Sequence, residues 1–308
     1  MLKCHHPQAN QNNNFVSNFY KSHPYTGWLS YFYIMTTGSI GVFDSGYGGL
    51  TVLQSITAKL SQYNYIYLGD NARAPYGGRS FETVYQYTLQ CVEWFFNQGC
   101  PLVILACNTA SAKALRTIQQ NDLAKFGAGK RVLGVIRPTT EIIGQFTTTG
   151  KIGILATSGT VQSGSYPIEI NKFFPDCEVY QQACPMWVPL IENNEHTSPG
   201  AAYFIEKNIN NLLAKSTNID TILLACTHYP LLMDAIKKLV PYGTTVLSQG
   251  EIVANSLANY LQRHSWIENS LSKAGKVSFF TTDDAADFDT KGSLFYGKPL
   301  KSTHLNMK

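Results

Sequence analysis

The chain has 308 residues, 44% of them hydrophobic and 14% charged, with a formal net charge of +4 at pH 7. That length can hold two domains with cores of ordinary size, and no apolar run approaches the roughly 18 residues that span a bilayer, so no membrane role is expected. Lys and Arg are scattered, not gathered on one face or in a run, which argues against a nucleic-acid partner.

Residues 1–35 read as an N-terminal extension, expected to be flexible. Pro7 to Asn14 is rich in Asn and Gln, and the segment to Tyr33 is aromatic and polar without helix or strand period. Its apolar patch, Trp28 to Met35, lacks a basic segment immediately before it, so it does not read as a secretory signal. An over-long start with Met35 as the initiator is the competing reading. Met35-Thr36-Thr37-Gly38-Ser39, directly before the first strand pattern, favours it.

From Ile40 strand and helix patterns alternate. Strands are predicted at Ile40–Phe43, Tyr65–Leu68, Leu102–Leu105, Val132–Val135, Ile152–Ala156, Glu178–Tyr180, Ile222–Ala225, Thr245–Leu247 and Val277–Phe280, with helical periods at Thr51–Leu60, Thr83–Gly99, Ser111–Gln120, Ala201–Leu213 and Leu231–Leu239. This alternation predicts an α/β protein with doubly wound parallel sheets. Ile40-Gly41-Val42-Phe43-Asp44-Ser45-Gly46 is similar to Ile152-Gly153-Ile154-Leu155-Ala156-Thr157-Ser158-Gly159. Cys107 lies 67 residues after Ile40, and Cys226 lies 74 after Ile152. Two similar domains facing each other across a cleft are therefore expected. The first would comprise residues 36–135 with 252–300, and the second 136–251, leaving 301–308 as a tail.

Three strand ends carry chemistry. Asp44-Ser45-Gly46-Tyr47-Gly48-Gly49 is a glycine-rich turn, neither a Walker A loop nor a clean G-x-G-x-x-G, and its Asp suits orienting an ammonium or imidazolium. Gly69 to Gly77 ends a second strand, where Pro75-Tyr76-Gly77 would present backbone amides and a phenol to a carboxylate. The third feature is a repeated phrase: Ile104-Leu105-Ala106-Cys107-Asn108-Thr109 and Leu223-Leu224-Ala225-Cys226-Thr227-His228. An apolar run that stops in polar residues reads as a buried parallel strand, and ligands of open α/β sheets bind beyond the carboxyl ends of such strands. Two thiols in matching places suit acid/base groups on opposite sides of one substrate.

The seven cysteines include no C-x-x-C pair, so neither a disulfide framework nor a tetrahedral zinc set is expected, and no metal is called. Reduced thiols in a cytoplasmic enzyme are the default. Cys91 falls on the apolar face of a helical run and reads as structural.

Together, Phe43-Asp44-Ser45-Gly46-x-Gly48-Gly49-Leu50-Thr51-Val52, Arg73-x-Pro75-Tyr76-Gly77, Ala106-Cys107-Asn108-Thr109-Ala110-Ser111, Ala156-Thr157-x-Gly159-Thr160-Val161 and Cys226-Thr227-His228-Tyr229-Pro230-Leu231-Leu232 resemble the glutamate racemases. The likeness runs in order from Ile40 to Gly297. It implies a cofactor-independent isomerase that acts on glutamate and supplies D-glutamate for peptidoglycan. By resemblance Cys107 and Cys226 are the acid/base pair, assisted by Asp44, Glu192 and His228. Ser45, Pro75, Tyr76, Gly77, Asn108, Thr109, Thr157 and Thr227 would line the substrate site with Asp44 and His228. A homodimer stays open. Arg137-Pro138-Thr139-Thr140-Glu141 departs from the family's usual turn at the inter-domain hinge.

The chemistry can be argued without the resemblance. Inverting an α-carbon means removing a proton from one face and adding one to the other, which two opposed thiols can do without turning the substrate over. No lysine sits in a Schiff-base context, so no pyridoxal phosphate, and no other cofactor, is expected. An aspartate racemase or related isomerase would use the same pair. A thiol-redox enzyme would not place its cysteines 119 residues apart. A non-catalytic binding protein would tolerate Cys107→Ser.

Overall fold

The structure, a computed structural model, describes residues 38–307; the N-terminal extension expected over residues 1–35, and Met35 as an alternative start, lie outside the described residues. Two parallel sheets organise it. The larger has the order β10-β9-β2-β1-β3-β4, from β1 (Ile40–Asp44), β2 (Tyr65–Gly69), β3 (Leu102–Leu105), β4 (Arg131–Gly134), β9 (Val277–Thr281) and β10 (Ser302–His304). The smaller has the order β6-β5-β7-β8, from β5 (Lys151–Ala156), β6 (Glu178–Ala183), β7 (Thr221–Ala225) and β8 (Thr245–Leu247). Every pairing in both is parallel. The central strands β1, β2, β3 and β7 are buried along their whole length, as parallel strands covered on both faces must be.

The internal likeness seen in the sequence maps onto equivalent places. β1 and β5 are the first strands of their sheets, and each pairs with the strand that ends in a cysteine. Ile40 lies opposite Leu102 and Phe43 opposite Leu105; Ile152 lies opposite Thr221 and Ala156 opposite Ala225. In each sheet the chain turns one way from the first strand to the next in sequence (β2, β6) and the other way to the cysteine strand (β3, β7). Each cysteine therefore follows a strand beside a topological switch point, where a crevice opens outside the strand ends. The two α/β domains face each other there, and one apolar core runs from Ile40, Leu50 and Tyr67 of the larger domain to Leu155, Trp187 and Tyr229 of the smaller.

The chain crosses between the sheets twice, after β4 and after β8. The first crossing contains the short helix Ile136–Thr140, where the divergent hinge motif lies; Arg137 Nε and Glu141 Oε1 close a 2.8 Å exposed pair on it. The second leads through Gln249 into the helix Gly250–Arg263, which packs on the helix Gly49–Lys59.

Several sequence expectations needed adjustment. The helix predicted at Ser111–Gln120 begins earlier, at Asn108, and breaks into Asn108–Lys113, Leu115–Thr117 and a π-helical turn at Ile118–Asp122. The early start follows from Cys107, whose extended backbone and sulfur cap the helix by accepting from Ala110 N at 3.4 Å. The stretch Leu231–Leu239 is a 3₁₀ turn at Tyr229–Leu232 followed by the helix Met233–Lys237. Ser302–His304, too short and polar to read as a strand, adds an edge strand beside β9.

Candidate active site

The strand-end loops of both sheets bring the sequence-predicted residues to one seam. From the larger sheet come Asp44 at the end of β1 with Ser45 just after it, Pro75 to Gly77 beyond β2, and Cys107 to Thr109 after β3. The smaller sheet contributes Thr157 after β5 and Cys226 to His228 after β7, with Glu192 from the helix Trp187–Glu192. Asp44, Cys107, Asn108, Thr109, Cys226, Thr227 and His228 are all buried, whereas Ser45, Thr157 and Glu192 are partly open.

Each sulfur has its own polar company. Ser45 Oγ lies 3.5 Å from Cys107 Sγ. Burial pushes the Cys107 thiol up to about 12; the Asp44 carboxylate adds to that, the contacts with Ser45 and Ala110 oppose it, and negative charge at Cys226 would raise it further. At neutral pH Cys107 therefore carries its proton. On the other side, His228 Nδ1 stands 4.0 Å from Cys226 Sγ, and its Nε2 meets Glu192 Oε1 at 2.8 Å. Burial alone would discharge this imidazole. The Cys226 sulfur and the Glu192 carboxylate outweigh it and raise His228 to about 10. The seam thus pairs the protonated Cys107 thiol with a Cys226 sulfur that faces an imidazolium.

Asp44 binds both sheets. Its Oδ1 accepts from Gly46 N at 2.9 Å, and its Oδ2 accepts from Thr227 Oγ1 at 3.4 Å. Burial raises its pKa, while the charge of His228 and the amides of Gly46 and Gly49 pull it back. Gly48 explains how the glycine-rich turn comes so close to the other half. Its φ of −57° suits any residue, yet a β-carbon there would lie 2.3 Å from both His228 Nδ1 and Thr227 Oγ1. Space, not backbone freedom, is what requires glycine.

The far wall is built of hydroxyls. Thr109 Oγ1 lies 3.0 Å from Thr157 Oγ1 and 3.4 Å from Thr160 Oγ1, so the helices after β3 and β5 meet through threonines. Gly159 N donates to Gly77 O at 2.7 Å, which holds the Pro75-Tyr76-Gly77 segment against the smaller sheet's first helix. One part of the sequence reading is corrected here. The Tyr76 phenol faces inward, donating to Asp70, which also forms a 2.7 Å pair with Arg73. Burying a phenol demands a partner, and the buried Asp70 supplies it. This segment presents its backbone, not a phenol, to the seam.

Two further side chains reach the seam without any sequence signal. Gln249 and Tyr166 both hydrogen-bond Asn108. They lie 141 and 58 residues from it, and no local pattern marks either.

The protein-family model described as Asp/Glu/Hydantoin racemase matches residues 40–257. A glutamate racemase of Persephonella marina is 36% identical over 270 residues, covering 87% of this chain and 97% of that protein. One of Levilactobacillus brevis is 37% identical over 275 residues, covering 89% and 96%. Among solved structures, a glutamate racemase isoform of Bacillus anthracis superposes with a TM-score of 0.79 at 31% identity, covering 89% of this chain and all of that one. The Francisella tularensis glutamate racemase in complex with D-glutamate gives 0.78 at 26% identity, covering 89% and 99%.

Proposed function

Because this chain belongs to the Asp/Glu/hydantoin racemase family, we propose that it interconverts L- and D-glutamate with Cys107 and Cys226 as opposed acid and base. The observation that carries this reading is the equivalence of the two sulfurs. Each follows the cysteine strand of its own sheet, and both reach one seam from opposite domains.

The reaction balances without a co-reactant. One sulfur, as thiolate, takes the α-proton and becomes a thiol. The electron pair left on carbon delocalises into the adjacent carboxylate. The other thiol then returns a proton to the opposite face and is left as thiolate, so the enzyme's protonation pattern is the mirror of its start. Cys107 is the proton holder, since burial and Asp44 keep its thiol protonated. Cys226 faces the His228 imidazolium, which Glu192 anchors. The α-proton is a very weak acid, so the carbanionic transition state needs preorganised donors and little water. Buried Asn108, Thr109 and Thr227 are suited to that role, with partly open Ser45 and Thr157 and the backbone of Pro75 to Gly77 around the substrate's carboxylates. Buried Asp44 suits the ammonium.

D-Glutamate made in this way would serve peptidoglycan synthesis. The experiment that tests the reading is incubation of each glutamate enantiomer in deuterium oxide. Deuterium should enter at the α-carbon as optical activity is lost, without added cofactor. Absence of both exchange and racemisation would sink it.

A further inference from the structure

Behind Cys107 the side chains of Asn108, Gln249 and Tyr166 close a ring of hydrogen bonds. Asn108 Nδ2 donates to Gln249 Oε1 at 2.7 Å, Gln249 Nε2 donates to Tyr166 Oη at 2.9 Å, and Tyr166 Oη donates to Asn108 Oδ1 at 2.5 Å. All three residues are buried, at 2%, 3% and 0% exposure, so water does not compete for these bonds. The ring joins three separate parts of the fold. Asn108 opens the helix capped by Cys107, Tyr166 lies on the helix Ser165–Phe173 of the smaller domain, and Gln249 ends the second crossing.

The direction of every bond in the ring follows from one backbone atom. Gln249 Nε2 also meets Val135 O at 3.0 Å and Thr139 Oγ1 at 3.2 Å, both on the first crossing. A carbonyl oxygen can only accept, so the Gln249 amide must turn its nitrogen to Val135. Its oxygen then faces Asn108, which must answer with Nδ2. Asn108 Oδ1 is left to Tyr166, whose hydroxyl must donate to it. The Asn108 carboxamide is therefore held in one of its two orientations, with one N–H outside the ring.

We propose that Gln249 and Tyr166 are positioning residues for the racemisation: by fixing which end of the Asn108 carboxamide is the donor, they present an N–H, not a carbonyl, to a substrate carboxylate. This inference rests on the glutamate racemase reading, in which Asn108 touches substrate. A flipped carboxamide would set its oxygen against the carboxylate and lose a charge-assisted hydrogen bond.

The test is steady-state racemisation of both enantiomers by Tyr166→Phe, Gln249→Glu and Thr139→Val. Tyr166→Phe removes the donor to Asn108 Oδ1 while keeping the ring shape, and KM should rise on the order of tenfold with kcat changed less. Gln249→Glu, which as a carboxylate cannot donate to Val135 O, should do the same or more above the pH at which it ionises. Thr139→Val touches Gln249 but not Asn108, so it should keep wild-type KM. In an Asn108→Ala background, Tyr166→Phe should add nothing to KM, because the group it orients is gone. Wild-type KM in Tyr166→Phe with only a lower Tm, or an undiminished effect in the Asn108→Ala background, would overturn the inference and leave a plain structural brace. Should Gln249→Glu fail to fold, Tyr166→Phe and its double mutant decide the matter alone. A wild-type chain that does not racemise glutamate overturns the functional reading itself, a result distinct from unaltered KM in the variants.

Discussion

Thr227, just after β7 of the smaller sheet, donates from Oγ1 to Asp44 Oδ2 at the end of β1 of the larger one. The backbone oxygen of the same threonine accepts from Thr51 Oγ1 at 2.9 Å, on the helix that follows β1. The Asp44 carboxylate at the seam is thus held partly by the opposite domain. Its position depends on how the domains meet, and a small shift at the seam changes the charge that Cys107 experiences.

Replacing either thiol tests the paired mechanism. Cys107→Ser and Cys226→Ser should each lower racemisation by at least 10³-fold, at the upper end of what one general acid or base contributes, because a hydroxyl is too weak an acid for the task. Each variant retains one thiol, so α-deuterium exchange should persist from one enantiomer and vanish from the other, with opposite preference in the two variants. Near-wild-type racemisation by both would end the two-thiol account.

His228 gives a pH signature of stability. Its folded pKa of about 10 lies above its ordinary 6.5, so the stabilisation it provides is fully present below pH 6.5 and is lost as pH rises through 10. Urea unfolding at stepped pH should show wild-type stability falling through that window. His228→Asn should be less stable at pH 6 and flatter between pH 6.5 and 9, below the range in which Cys107 titrates. Equal slopes for the two proteins would remove the imidazolium from the account.

Asp44→Asn and His228→Asn should bias the two reaction directions differently. The equilibrium constant cannot change, so kcat/KM must fall by the same factor for L- and D-glutamate. The asymmetry should therefore appear in kcat, KM or the α-deuterium isotope effects taken separately for each enantiomer. His228→Asn should act mainly where Cys226 is the initial base. Asp44→Asn, which removes a charge that raises the Cys107 thiol, should show the opposite bias. Identical isotope effects in both directions for both variants would argue against one helper per thiol.

Gly48→Ala separates space from backbone preference. On helix propensity alone alanine would gain stability at this ordinary φ, by up to about 1 kcal/mol. The new methyl would meet His228 and Thr227 at 2.3 Å. We expect overpacking to win, with a net loss of about 1–3 kcal/mol and a kcat/KM loss of about a hundredfold as His228 is displaced from Cys226. A variant as active and stable as wild type would show that the seam has room there.

Much of this molecule was legible from sequence because its strands are buried on both faces. Runs such as Leu102–Leu105 and Thr221–Ala225 must be apolar throughout and then stop, and the stop marks where the chemistry begins. Ser302–His304 carries no such signal, since an edge strand of three polar residues needs only backbone partners. The start of the helix at Asn108 was missed because cysteine is an unusual cap, with a sulfur that accepts only weakly. The inward turn of the Tyr76 phenol depends on the buried Asp70, which Arg73 and Thr282 also contact, a tertiary matter. The Asn108–Gln249–Tyr166 ring joins residues from three distant segments, and such pairings leave no local periodicity.

The threading of the larger sheet has a consequence for synthesis on the ribosome. β1 to β4 are made first, yet β2 finds its outer neighbour only when Val277 to Thr281 emerge, after the whole smaller sheet has been translated. Until then the nascent β2 exposes a bare edge of unpaired amides and carbonyls, whereas β5 to β8 are contiguous in sequence and can close as a unit. A chain stalled before residue 277 would therefore carry a finished small sheet beside an unfinished large one. Such a fragment is a natural client for chaperones that shield open strand edges.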